Sequence, residues 1–282
     1  MREWWGEIAG LVLPAVCEGC GRPRSLLCRA CARQLVGGEP GRVLPRPAPA
    51  GLPVVFAAAR YEGAVRAVLL AHKERGALGL AGPLGGALAS AVRAAPPETM
   101  RRPSGPLLLV PVPSAPRAVR ARGQDAARRI AAAAAGALRS TGTYARALPV
   151  LRHARRVADQ SGLTARERLE NLAGALEVVP GAERLLEDRR AVLVDDVMTT
   201  GASLAEAARA LRTATVTRCP GFTPSSAAVV AAPPHSFEPV RNSQAGCNVA
   251  GCRTGNPLGR KYALVAGADN GPGELCSGCE ER

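Results

Sequence analysis

Two rhythms of apolar residues alternate along the chain. Short solid runs occur in "VVFAAARYEG" (54–63), "PLLLVPVP" (106–113), "ALPVLRH" (147–153), "ALEVV" (175–179), "RRAVLVDDV" (189–197) and "SAAVVAAPP" (226–234). Their length and bounding Pro or Gly residues predict strands, and the solid filling predicts that both faces are covered. Between them, apolar residues recur at helical spacing in "AVRAVLLAHKERG" (64–76), "LAGPLGGALASAVRAA" (80–95), "GQDAARRIAAAAAGALRS" (123–140), "LTARERLENLAG" (163–174) and "SLAEAARALR" (203–212). Strands alternating with helices predict an α/β unit built on a parallel sheet, with ligands received at the carboxyl ends of the strands.

The 282 residues suffice for one medium domain and an appendage. Residues 54–240 form the expected body. Residues 37–53, "GGEPGRVLPRPAPAGLP", read as a linker because Gly and Pro dominate them. Residues 241–282 lack periodicity and are expected to be a disordered tail.

The remaining segment, 1–36, carries cysteines. Cys17, Cys20, Cys28 and Cys31 are spaced C-x2-C-x7-C-x2-C. Each C-x2-C turn can aim two sulfurs at one centre, so two turns complete a tetrahedral thiolate shell for structural Zn2+. Two disulfides or a redox C-x2-C pair are the alternatives, and a reducing cytoplasm disfavours the disulfides. Cys219, Cys247, Cys252, Cys276 and Cys279 lie in the last quarter without comparable spacing.

A net charge of +14 invites a nucleic-acid reading. Yet Lys73 and Lys261 are the two lysines of the chain, so Arg supplies nearly all the positive charge beside abundant Ala, Gly and Pro. That composition resembles coding bias, and three Phe, three Tyr and two Trp provide few rings for base stacking. No apolar run reaches the roughly 20 residues of a membrane span. At the start, "LVLPAVC" has the outline of a signal segment, but Glu3 and Glu7 interrupt its approach and Val16 is bulky where cleavage needs a small residue. A cytoplasmic, unanchored protein is expected.

The chemistry concentrates in "AVLVDDVMTTGAS", residues 191–203. Asp195 and Asp196 sit where a buried strand emerges, and Met198, Thr199, Thr200, Gly201, Ala202 and Ser203 lead into a helix. Loop N–H groups with a helix N-terminus behind them cradle phosphate, Gly201 allows close backbone approach, and Thr199, Thr200 and Ser203 offer hydroxyls. Two carboxylates repel a bare phosphate but accept hydrogen bonds from a sugar diol. The arrangement therefore suits a ribose 5-phosphate. Walker B strands and receiver domains also end in acids, but neither continues as "TTGAS", and the chain has no Walker A lysine loop.

This stretch resembles the phosphoribosyl-pyrophosphate (PRPP) motif of type I phosphoribosyltransferases. Together with "YEGAVRAVLLAHKERG" (61–76), "VPVPSAPRAVRARG" (110–123), "RRVADQSGLTARERLENLAGAL" (155–176) and the four-cysteine segment, it resembles the ComF family and its GntX-type relatives. That resemblance implies a phosphoribosyltransferase-like parallel sheet flanked by helices, with a small N-terminal zinc-binding knob. It implies PRPP binding with Mg2+, transfer of phosphoribosyl to an unidentified nucleophile, and a role in competence for DNA uptake. The second reading is a non-catalytic PRPP sensor working through single-stranded DNA or a competence helicase.

By position, the resemblance implies that Asp195, Asp196 and residues Thr199 to Ser203 hold the ribose phosphate. Ser114, Arg117, Arg120 and Arg122 meet pyrophosphate, while Arg155, Arg156 and Gln160 belong to a mobile segment closing over the site. Arg168 and Asn171 match a downstream pattern that serves structure or site alike. The chain departs from the family at Gln124 and Asp125, where many members carry Asn-Gln, and at 213–226, longer than a tight helix-to-strand turn. Thr199 also stands where purine-salvage relatives place an acidic base, which argues against that mode of purine activation.

Overall fold

The computed structural model describes residues 15–95, 105–157, 164–187, 189–216 and 226–239. Helix α1 (Arg29–Val36) begins inside the second cysteine hook, with Cys28 as its N-cap and Cys31 in its first turn, and β1 (Gly41–Val43) and β2 (Val54–Arg60) come next. Helices α2 (Gly63–Glu74) and α3 (Ala81–Ala94) lead to β3 (Leu107–Pro111). Then come α4 (Pro116–Arg122), α5 (Ala126–Ser140), β4 (Ala145–Ala147), β5 (Leu151–His153), α6 (Ala165–Leu172) and β6 (Leu176–Val178). Strand β7 (Arg190–Val197), helix α7 (Ala202–Thr215) and β8 (Ser226–Ala232) complete the described unit.

Six strands form one sheet in the order β1-β2-β8-β7-β3-β4, parallel except for β1, which runs antiparallel to β2. Alternation along the central strands sorts the core onto two faces. Leu107, Leu109, Val192, Val194, Ala228 and Val230 pack with α2, α3 and α5. Leu108, Val110, Ala191, Leu193, Ala227 and Val229 pack with α7 and the β5–β6 ribbon. Covering on both faces accounts for the solid apolar runs.

Alanine makes one helix pair unusually close. A Cβ at Gly85 of α3 would lie 2.5 Å from Ala133 Cβ and 2.7 Å from the Ala133 carbonyl carbon of α5.

Three segments differ from the sequence expectation. "ALPVLRH" is two elements: β4 extends the main sheet beside β3, whereas β5 pairs antiparallel with β6 in a separate two-stranded ribbon. Pro149 stands between them, and a residue with no N–H donor cannot carry a ladder through. The 37–53 stretch holds β1 on the sheet edge. There Leu44 N–H donates to the Ser236 carbonyl at 2.7 Å and Glu238 N–H to the Arg42 carbonyl at 3.0 Å. Val43 is 1% exposed, so burial of one Val and satisfaction of its neighbours' backbone outweigh the Gly and Pro content. Finally, "SAPRAVR" opens a short helix, α4, with Pro116 at its first position, where the missing N–H costs nothing.

The cysteine segment joins the same core through α1, whose Leu35 is 1% exposed and packs in the α2–α3 layer. Among the described residues, no helix is long and apolar enough to cross a membrane.

Candidate functional site

The chain leaves β3 toward the outer strand β4 and later leaves β7 toward β8 on the other side, so the topological switch point lies between β3 and β7. Sheets of this kind receive ligands in the crevice at the carboxyl ends beside such a point. Its two banks are the loop after β3, carrying Ser114, and the loop after β7, carrying Thr199 to Gly201.

On the β7 bank, β3 ends at Pro111 opposite Val194, while β8 continues to pair with Asp195 and Val197. The acids therefore emerge where one neighbour has gone. Asp195 Oδ1 accepts the Asp196 N–H at 2.8 Å, and Asp196 Oδ1 accepts the Val197 N–H at 2.8 Å. Asp196 Oδ2 meets Lys73 Nζ of α2 at 2.7 Å. Burial pushes the Asp195 carboxyl well above its ordinary range, and the neighbouring Asp196 charge adds to the effect. Burial acts on Asp196 in the same sense, but the Lys73 ammonium overrides it and holds that carboxyl below its usual value. Lys73 is stabilised as a cation, because Asp196 and Asp195 outweigh its own desolvation.

The loop beyond is shaped for an anion. Gly201 caps α7 with φ +76°, a left-handed conformation that favours glycine, and supplies no side-chain acceptor to the first turn. A Cβ there would stand 3.1 Å from Leu52 and 3.3 Å from Pro45, so residues 45–52 press directly on the loop. The Ala202 N–H has only a long contact, 3.4 Å, to Thr200 Oγ1. An uncapped helix N-terminus with Thr199 exposed beside it offers N–H donors and a favourable dipole to a phosphate. Arg168 reaches this loop from α6, donating from Nη1 to Thr199 Oγ1 at 3.4 Å, while its buried Nε has no partner. A small cleft of about 220 Å³ adjoins Thr199 and Thr200, walled by Pro45, Pro47 and Pro233 and bearing Arg46 and His235.

The β3 bank is organised by Asp125. Ser114 donates from its backbone N–H and its hydroxyl to the Asp125 carboxylate at 3.3 and 3.0 Å, and the same carboxylate caps α5 through the Arg128 N–H. The departure from Asn-Gln thus acquires a local meaning: an acid here ties the loop to the following helix. Arg117 and Arg120 are exposed on α4. Arg122 is committed elsewhere: its Nη1 donates to the Lys73 carbonyl and to Glu74 Oε1, both at 3.1 Å.

Arg155 donates to the Asn171 and Ala173 carbonyls at 2.9 and 2.7 Å, closing the C-terminus of α6, and Arg156 is exposed beside it. Gln160 and the five late cysteines lie outside the described residues. Nothing in the sequence marks Lys73, Arg46 or His235 as part of the site, and Arg168 is legible only as serving structure or site alike. Lys73 is set apart only as the sole lysine of the first 260 residues.

Away from the crevice, the sulfurs of Cys17, Cys20, Cys28 and Cys31 all lie within 4.8 Å of one another, and none is in a disulfide. Cys20 Sγ and Cys28 Sγ are 3.7 Å apart, close to the ~3.8 Å edge of a tetrahedron with Zn–S bonds of about 2.3 Å. The turn is that of a metal hook: the Cys17 carbonyl accepts the Cys20 and Gly21 N–H groups at 3.2 and 2.7 Å, and the Cys28 N–H donates to Cys17 Sγ at 3.3 Å. Burial raises the Cys17 thiol, but backbone N–H groups led by that of Cys28 prevail and lower it to about 6, which suits a thiolate ligand.

No curated protein matches the chain. Residues 123–247 match the family model for the phosphoribosyl transferase domain, a span that begins just before α5 and includes β7, the acidic pair, its loop and β8. With its mostly parallel sheet, helices on both faces and N-terminal cysteine cluster, the chain is phosphoribosyltransferase-like, similar over those residues to phosphoribosyl transferase domains.

Proposed function

We propose that the protein binds PRPP in the crevice between β3 and β7 and transfers its phosphoribosyl group to a small nucleophile. The observation that carries this reading is the succession on one strand end of a partly buried acidic pair and an uncapped, glycine-started helix N-terminus. A phosphosugar satisfies both at once. Its hydroxyls donate to the carboxylates, chiefly to Asp195, and its 5-phosphate accepts from residues 199–203 and from Arg168.

Bound Mg2+ would offset pyrophosphate charge, and the carboxylate oxygens of Asp195 and Asp196 are donors of the kind that suits this hard cation. The chain's own groups do the rest. Arg117 and Arg120 are exposed beside the leaving group's bank, where guanidinium ions stabilise charge developing on pyrophosphate. Thr199 has no carboxylate to take a proton from the acceptor, which suits a nucleophile that attacks without an acidic base in this loop.

A ComF-like role in competence belongs to this reading, and the second reading is a non-catalytic PRPP sensor working through single-stranded DNA or a competence helicase. One observation favours the second: Arg122 and Arg155, the expected ligand-side cations, are tied to backbone carbonyls. Calorimetry with PRPP and Mg2+ tests the pocket common to both. Micromolar binding that vanishes in Asp195→Asn/Asp196→Asn is expected, and equal binding by that variant rejects the site. Pyrophosphate release with a panel of nucleobases and amines then separates them, since turnover supports transfer and binding without turnover supports sensing.

A further inference from the structure

Lys73 is spent on the acidic pair although nothing in its own helix requires this. A lysine in the last turn of α2 would be stabilised by the helix dipole while pointing into solvent. Instead its ammonium crosses to β7 and closes to 2.7 Å on Asp196, whose side chain is only 7% exposed. The backbone is fixed to match: Arg122 of α4 holds the Lys73 carbonyl at 3.1 Å, and Gln124 holds the neighbouring His72 carbonyl at 3.4 Å. The end of α2 is thus pinned to the β3 bank, and its ammonium lies on the β7 bank.

The charges around the pair make the choice meaningful. Two adjacent carboxylates facing a polyanion would repel it, and Arg122, which lies at the same end of α2, is turned to Glu74. Asp196 already uses Oδ1 for the Val197 N–H and Oδ2 for Lys73. Asp195 Oδ1 accepts the Asp196 N–H, and its side chain, without a cation of its own at salt-bridge distance among the described residues, is the member of the pair less committed to the fold.

We propose that Lys73 is the built-in counter-cation of the acidic pair and a positioning residue for PRPP, cancelling one carboxylate charge so that Asp195 can receive the sugar. This rests on the PRPP reading given above. It implies that Lys73 carries part of the load otherwise left to the divalent cation.

The test compares PRPP affinity across a Mg2+ series for wild type, Lys73→Met, Lys73→Arg, Asp196→Asn and Asp196→Asn/Lys73→Met. The expected result is at least a tenfold loss in Lys73→Met with a steeper Mg2+ dependence, partial recovery in Lys73→Arg, and no further loss when Lys73→Met is added to Asp196→Asn. A purely structural lysine would shift the melting temperature without changing the Mg2+ dependence. Because the chain has two lysines, reductive methylation with 13C-formaldehyde gives two lysine signals. The Lys73 signal should titrate at higher pH than an ordinary lysine, move when PRPP is added, and lose its offset in Asp196→Asn. Lys73→Met binding PRPP like wild type, or an offset that survives Asp196→Asn, overturns the role of Lys73 alone. A wild type that binds no PRPP overturns the underlying reading, and the substrate role of Lys73 with it.

Discussion

At the scale of single residues, the site is held together by charges that do not favour the folded chain equally. Asp195 is pushed above its ordinary value on folding, so it favours the folded state below about pH 4 and becomes a cost as pH rises through its folded pKa. Asp196 is held below its ordinary value, and its contribution is present at neutral pH and lost on acidification. Asp195→Asn, whose amide oxygen can still accept the Asp196 N–H, should therefore stabilise the ligand-free protein at pH 7 to 8. The expected gain is on the order of 1 kcal/mol, or a few degrees in Tm, and should vanish near pH 4. Thermal melts across that pH range check it, and a variant less stable than wild type at pH 8 would contradict it. The acidic pair was legible in the sequence because its parts are contiguous: strand, acids, loop and helix follow one another within thirteen residues. Lys73 on Asp196, Arg168 on Thr199 and Ser114 on Asp125 were not, because each contact depends on which helix ends the fold brings to one crevice.

At the scale of elements, periodicity located nearly every strand and helix of the body, since solid and helical apolar runs are imposed by two-sided burial. It failed where local composition and tertiary pairing disagree. β1 lies in a stretch whose Gly and Pro argue for a linker, and its place is set by bonds to residues 236 and 238. β5 reads like β4, yet pairs outside the main sheet. The packing of α3 on α5 yields a sharper expectation. Gly85→Val would force a side chain into the Ala133 backbone, at 2.7 Å from the Cβ onward, in a layer of small residues with no flexible neighbour to yield. Overpacking of this kind costs about 1–3 kcal/mol, and the better helix propensity of Val than Gly offsets only a few tenths of that. Chemical denaturation should show the loss, whereas Gly86→Ala, with open space around its Cβ, should be neutral or slightly stabilising.

At the scale of the whole molecule, the cysteine segment is bound to the body by Leu35 in the core, by Leu26 and Leu27 packed against it, and by the Glu18 to Arg75 ion pair at 2.7 Å. Purified protein should contain one zinc per chain. Stripping it with a chelator should lower stability by more than about 2 kcal/mol, the low end of what losing one buried Leu removes. Full stability without metal would show that the four thiols need none. The spacing made this cluster legible, but its attachment to the α2–α3 layer had no sequence signal. The net charge says less: several arginines it counts are spent on carbonyls and carboxylates inside the fold.

The crevice has no local owner. Its banks follow strands that are neighbours in the sheet but far apart along the chain, and the strand bearing the acids lies between two others near the middle of the sheet. Cutting the chain anywhere between the two banks would divide the receptor, so no proteolytic fragment should retain the ligand. Occupancy and global unfolding become linked, and a tightly held phosphosugar would act as a clamp on the entire sheet, protecting its central amides from exchange as a block.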